Sequence, residues 1–160
     1  MEQWANYFIA TASAAAALTG LIFVSVSLNL KQILAGRQLP GRALGSLILL
    51  GNILISSSFC LIPHQSLFLL GCELLGMSVT VWFVNFRMDI AMYRMVEKLY
   101  KRLYLQNTIF TQLAVLPYIV GGIFLLNGSD IGFYFIIPGI TFSFIKALLD
   151  SWVLLIEINR

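Results

Sequence analysis

Long apolar runs separated by short polar breaks dominate the chain: Tyr7 to Leu28, Ala43 to Ile62, Leu67 to Phe86, Asn107 to Asn127 and Ile131 to Ile156. Each supplies the roughly 20 residues that an α-helix needs to cross a hydrocarbon core. None alternates with the period of a strand, which excludes a barrel, and a helix satisfies its own backbone N–H and C=O groups in lipid. The pattern predicts an all-α, polytopic membrane protein with five transmembrane helices.

The polar breaks set the connections. Pro63-His64-Gln65-Ser66 and Asn127-Gly128-Ser129-Asp130 are so short that the second span must lie antiparallel beside the third, and the fourth beside the fifth. Gly36 and the Pro40-Gly41 pair punctuate the first polar loop as a helix stop and restart. The break after Phe86 is different, because no Gly or Pro occurs between Gly76 and Pro117. Met88, Met92, Met95, Val96, Leu99 and Leu103 recur there at helical spacing, opposite Arg94, Glu97, Lys98, Lys101 and Arg102. An amphipathic helix over 87–106 is expected, prolonging the third span or lying in the headgroup layer.

Composition narrows the class. With 59% apolar and 11% charged residues in a chain of 160, a soluble globular protein is excluded. Five spans leave no room for a folded extramembrane domain, so residues 1–160 form a single transmembrane domain. Nine of the ten basic residues fall in one set of loops: Lys31, Arg37 and Arg42, then Arg87, Arg94, Lys98, Lys101 and Arg102, then Arg160. Short loops rich in Lys and Arg stay in the cytoplasm, which places the N-terminus outside and the C-terminus inside. The first span follows Glu2 with no base before Lys31, so it is expected to be a retained anchor rather than a cleaved leader.

Candidate chemistry is sparse. Glu73 lies about 9 Å along its helix from the outer boundary, too deep for so short a side chain to snorkel. It is expected to be buried in protein, wetted or protonated, with the hydroxyls of Ser56, Ser57 and Ser58 as candidate neighbours, and to serve a cation, a proton or a partner, or else a structural hydrogen bond. Asn52 in the second span and Thr11, Thr19 and Ser25 in the first complete a candidate polar pathway with Glu73 and Ser56. Ser13, Ala16, Ala17 and Gly20 recur at three- and four-residue steps, a face suited to close helix packing within or between subunits, or to lining water. Lys146 and Asp150 form an i,i+4 pair, with Lys146 near enough to the inner surface to snorkel. Pro117 and Pro138 are expected to kink their helices. Arg94, Lys98, Lys101 and Arg102 are candidates for contact with anionic lipid headgroups or a membrane partner.

Enzyme chemistry is not expected. The single histidine, His64, sits in a turn, and no nucleophile elbow, zinc-protease motif or glycine-rich phosphate loop occurs. Neither a metal nor another cofactor is expected, and nothing points to nucleic acid. Cys60 and Cys72 read as two buried thiols, with a disulfide open to them if their Cα atoms lie within about 7 Å.

Trp4-x-x-Tyr7-Phe8-x-Ala10-x-Ala12-x-Ala14-Ala15-Ala16-x-Leu18-x-Gly20-Leu21-x-Phe23-Val24, Leu39-Pro40-x-Arg42-Ala43, Pro63-x-Gln65-Ser66 and Glu73-Leu74-Leu75 together carry a likeness. They resemble a family of small, uncharacterised bacterial integral membrane proteins, some of them labelled modulators of the membrane protease FtsH. The likeness covers the first half of the chain. It implies a bacterial inner-membrane location and makes Glu73 and the outer turn part of a family pattern, with no substrate or reaction attached. So small a subunit has little interior for Glu73 and Asn52, so self-association is expected. Two functions follow as expectations: an oligomeric channel or transporter for cations or protons, or a scaffold that docks a partner through its basic helix.

Overall fold

The computed structural model describes residues 2–36, 38–95 and 101–158. These residues are 90% helical and contain no strand. The helices are α1 (Glu2–Leu28), α2 (Leu30–Ala35), α3 (Leu39–Cys60), α4 (Leu67–Met95), α5 (Lys101–Leu126) and α6 (Gly132–Ile158). All but the short α2 are long and apolar enough to cross a membrane, which makes this a multi-pass membrane protein.

Several boundaries differ from the hydropathy pattern. The second span starts at Leu39 rather than Ala43, because Pro40 occupies the first helical turn, where its missing N–H has no partner to lose. The third continues without a break to Met95 instead of ending at Phe86, so 87–95 prolongs the span, while 101–106, expected in the same amphipathic helix, belong to the fourth. The fourth starts at Lys101, and 96–100, with Lys98, lie outside the described residues, as do Arg37 and Arg160. α5 and α6 run as single helices through Pro117 and Pro138.

The two tight turns close by left-handed residues. His64 takes φ 56 after Pro63, and Gly128 takes φ 73 after α5. Around Gly128 the amides of Gly128 and Ser129 donate to Leu125 and Phe124, which ends α5 in a Schellman motif. The end of the molecule bearing these turns is here the turn end, and the opposite one the basic end.

α3, α4, α5 and α6 close into a ring in which each packs on the next, and α1 lies outside along α3 with an edge on α6. In its apolar window α1 is 11% buried against 50% for α3, so α1 is peripheral. Phe8 and Trp4 pack on Phe133, and the Thr11 hydroxyl meets Ser57 Oγ at 3.1 Å.

Lipid chains are as apolar as Leu, so helices here hold together by close packing. That packing is tightest at the turn end. A Cβ on Gly71 would lie 2.6 Å from the Leu126 amide nitrogen, and one on Gly132 would lie 2.5 Å from the Gly121 carbonyl oxygen. These glycines bring α4, α5 and α6 into backbone contact at that end. The face expected to pack closely is a different one and is free: Ser13, Ala16, Ala17 and Gly20 are exposed, and nothing lies within 4 Å of where a Cβ on Gly20 would stand. Close packing of that face within one subunit is therefore corrected.

Candidate ionic site inside the helix ring

At the basic end the ring encloses charge. The buried face of α4 runs through Leu74, Ser78, Val81, Asn85 and Asp89 at three- and four-residue steps, so the helix that places leucine in the core also places a carboxylate there. On α6 the same periodicity buries Ser143, Lys146, Ala147 and Asp150. Starting α3 at Leu39 puts Arg42 in its first turn, within reach of α6.

Lys146 Nζ donates to Asp150 Oδ2 along one face of α6, and Arg42 donates to Asp150 Oδ1 at 3.4 Å from the neighbouring α3. The side chains of Lys146 and Asp150 are only 5% and 6% exposed. Lys146 thus does not snorkel to the surface as expected; it points inward and takes its counter-ion from its own helix. Asp89 is equally buried, and its Oδ2 meets no hydrogen-bond donor among the described residues. Two cations and two carboxylates form a formally neutral set, the arrangement by which buried charge is tolerated in a bilayer.

Arg42, Asp89, Lys146 and Asp150 line one cavity of about 20 Å³, room for about one water, with Asn85 and Thr111 also in its wall. Two wider spaces each have one of these residues in their lining. Arg42 also lines a cleft of about 550 Å³ between α6 and the segment from Gln32 to Leu39, at the basic end. Asp89 also lines an apolar groove of about 210 Å³ between α4 and α5, on the outside of the ring. One charged side chain is therefore common to the inner cavity and each of these spaces.

The residues singled out from sequence are distributed differently. Glu73 is half-buried and accepts a hydrogen bond of 2.6 Å from Gln65 Nε2 in the turn. The expected serines do not reach it: Ser57 pairs with Thr11 and Ser58 with the Leu54 carbonyl, while Ser56 is buried without a partner among the described residues. Asn52 is likewise buried with both amide atoms unpaired among the described residues. Thr19 bonds back to the Ala15 carbonyl, and Ser25 is exposed on α1. Arg94 and Arg102 are exposed, and Lys101 stands over the Tyr93 ring at 5.1 Å. Cys60 is buried and Cys72 exposed, both as free thiols, so the expectation of two buried thiols holds for Cys60 alone.

Asp89, Asn85 and the inward role of Arg42 are absent from the sequence reading. The signal was the stripe itself, since continuing the α4 core positions past Phe86 in steps of three and four lands on Asp89. Comparison of the chain with protein-family models, curated proteins and solved structures finds no match, so the resemblance of its first half stays an expectation.

Proposed function

We propose that the protein is a non-enzymatic transport protein of the bacterial inner membrane, N-terminus out and C-terminus in, that moves protons or small cations through the Asp89 carboxyl. The observation that carries this reading is Asp89 itself: a buried acid with an oxygen that no donor among the described residues satisfies, facing a cavity shared with a paired lysine. An unsatisfied carboxylate oxygen in a membrane interior is costly, and such groups are kept where they bind or relay charge.

The neighbours supply a way to work. Lys146 faces two carboxylates across one small cavity and is bonded to Asp150. When Asp89 holds a proton, the set carries one net positive charge and Lys146 stays with Asp150. When Asp89 gives the proton up, the new negative charge draws Lys146 toward it and loosens Asp150, which Arg42 continues to hold from the cleft side. In this reading access comes from the basic end, where Arg42 lines both the cleft and the inner cavity, and the turn end, where glycines bring α4, α5 and α6 together, stays closed. Copies of the chain pack through the exposed Ser13, Ala16, Ala17 and Gly20 face in this reading, since small residues let helices of neighbouring subunits approach.

Reconstitution into liposomes containing a pH-sensitive dye tests it. The wild type dissipates an imposed proton gradient or couples it to a cation gradient; Asp89→Asn abolishes this, and Glu73→Gln leaves it intact. Wild-type vesicles indistinguishable from empty ones, under every gradient applied, refute the proposal.

A further inference from the structure

The groove between α4 and α5 has a polarity that runs along the helix axis. Phe86, Ile90 and Leu105 make its walls, and Tyr93 and Arg94 lie at its basic-end limit. Lys101 adds a second cation there, its ammonium 5.1 Å from the centroid of the Tyr93 ring. From Phe86 to Arg94 is about 12 Å of helix by its rise, an apolar slot under a cationic rim. In a bilayer the slot does not stay empty, because its walls would forfeit their dispersion contacts.

We infer that this groove is a specific site for one anionic phospholipid, its phosphate held by Arg94 and Lys101 and one acyl chain laid over Phe86, Ile90 and Leu105. The orientation matches on both counts, since a lipid carries its charge at the surface and its chain inward. Tyr93 suits the junction, with an apolar ring and a polar tip, and already holds the Lys101 ammonium over its face. Protein partners fit less well: the slot is narrow, and its depth lies among residues that face hydrocarbon. The site does not depend on the transport reading, although the chain would also cover Asp89 from the lipid side.

Native mass spectrometry of the full-length protein, titrated with phosphatidylglycerol or phosphatidylcholine, tests the inference. One phosphatidylglycerol is expected to be retained in preference to phosphatidylcholine. Arg94→Gln with Lys101→Gln should reduce that preference about 30-fold, from about 1 kcal/mol per surface charge. Leu105→Trp, which fills the slot without altering charge, should remove the retained lipid altogether. Lys31→Gln, an exposed base on α2 that does not line the groove, should leave the preference unchanged. A preference that survives loss of both rim charges, a lipid retained against Trp at 105, or an equal effect from Lys31→Gln would overturn it, the last by reducing it to diffuse attraction.

Discussion

Removing Asp150 should damage this protein far more than removing the lysine bonded to it. Among the described residues Asp150 is the single carboxylate in contact with both Arg42 and Lys146, and both ionic side chains of the i,i+4 pair are almost fully shielded. Asp150→Asn leaves a buried ammonium and a half-buried guanidinium facing each other without their shared counter-ion, at a cost of about 3–5 kcal/mol. Lys146→Met leaves Asp150 still held by Arg42 and removes one charge-assisted bond, at about 1.5–3 kcal/mol. The double variant leaves one cation, Arg42, and one carboxylate, Asp89, so its formal charge returns to zero. It should cost less than the sum of the two, with a coupling of at least about 2 kcal/mol. Thermal unfolding of the protein in lipid nanodiscs reads these as midpoint shifts. For a chain of this size Asp150→Asn should lower the midpoint by about 6–20 °C, with Lys146→Met and the double variant above it. Equal losses from the two single variants, or simple additivity in the double, would refute the view that one carboxylate carries both cations.

Close packing at the turn end can be separated from the free face of α1. Gly71→Ala drives a methyl against the Leu126 backbone and should destabilise by about 1–3 kcal/mol, whereas Gly20→Ala, which meets nothing within its own subunit, should change the stability of single subunits in nanodiscs by less than about 0.5 kcal/mol in the same thermal assay. The proposed orientation is read by labelling single cysteines, in a background lacking Cys60 and Cys72, with an impermeant maleimide. His64→Cys should react from outside intact cells and Arg94→Cys only after the membrane is opened; the reverse pattern would invert the topology.

What the sequence could reveal follows from how lipid acts as a solvent. The five spans were legible because a bilayer demands uninterrupted apolar helix, and the hairpins because four-residue turns leave no choice of neighbour. The Lys146–Asp150 pair was legible because both groups share one helix face. Asp89 was hidden by ending the third span where hydropathy falls, although the burial stripe of α4 continues past it. Arg42 reads as an orienting loop residue in the linear pattern, whereas α3 starts at Leu39 and carries it into the first turn of the helix. Glu73 drew attention by depth alone, because nothing in the linear pattern announces that Gln65 folds back onto it. Small residues mark close packing only once the neighbouring helix is known: Gly71 and Gly132 have one, and Gly20 faces open space within the subunit.

The exchange of a proton at Asp89 is accessible to infrared difference spectroscopy on the protein in lipid vesicles, recorded across a step in pH applied from the basic-loop side. A carboxylic acid carbonyl band should rise and fall with the step, shift when aspartate is labelled with carbon-13, and vanish in Asp89→Asn while persisting in Glu73→Gln. A band absent from the wild type, or one that survives in Asp89→Asn, would contradict a working carboxyl at that position.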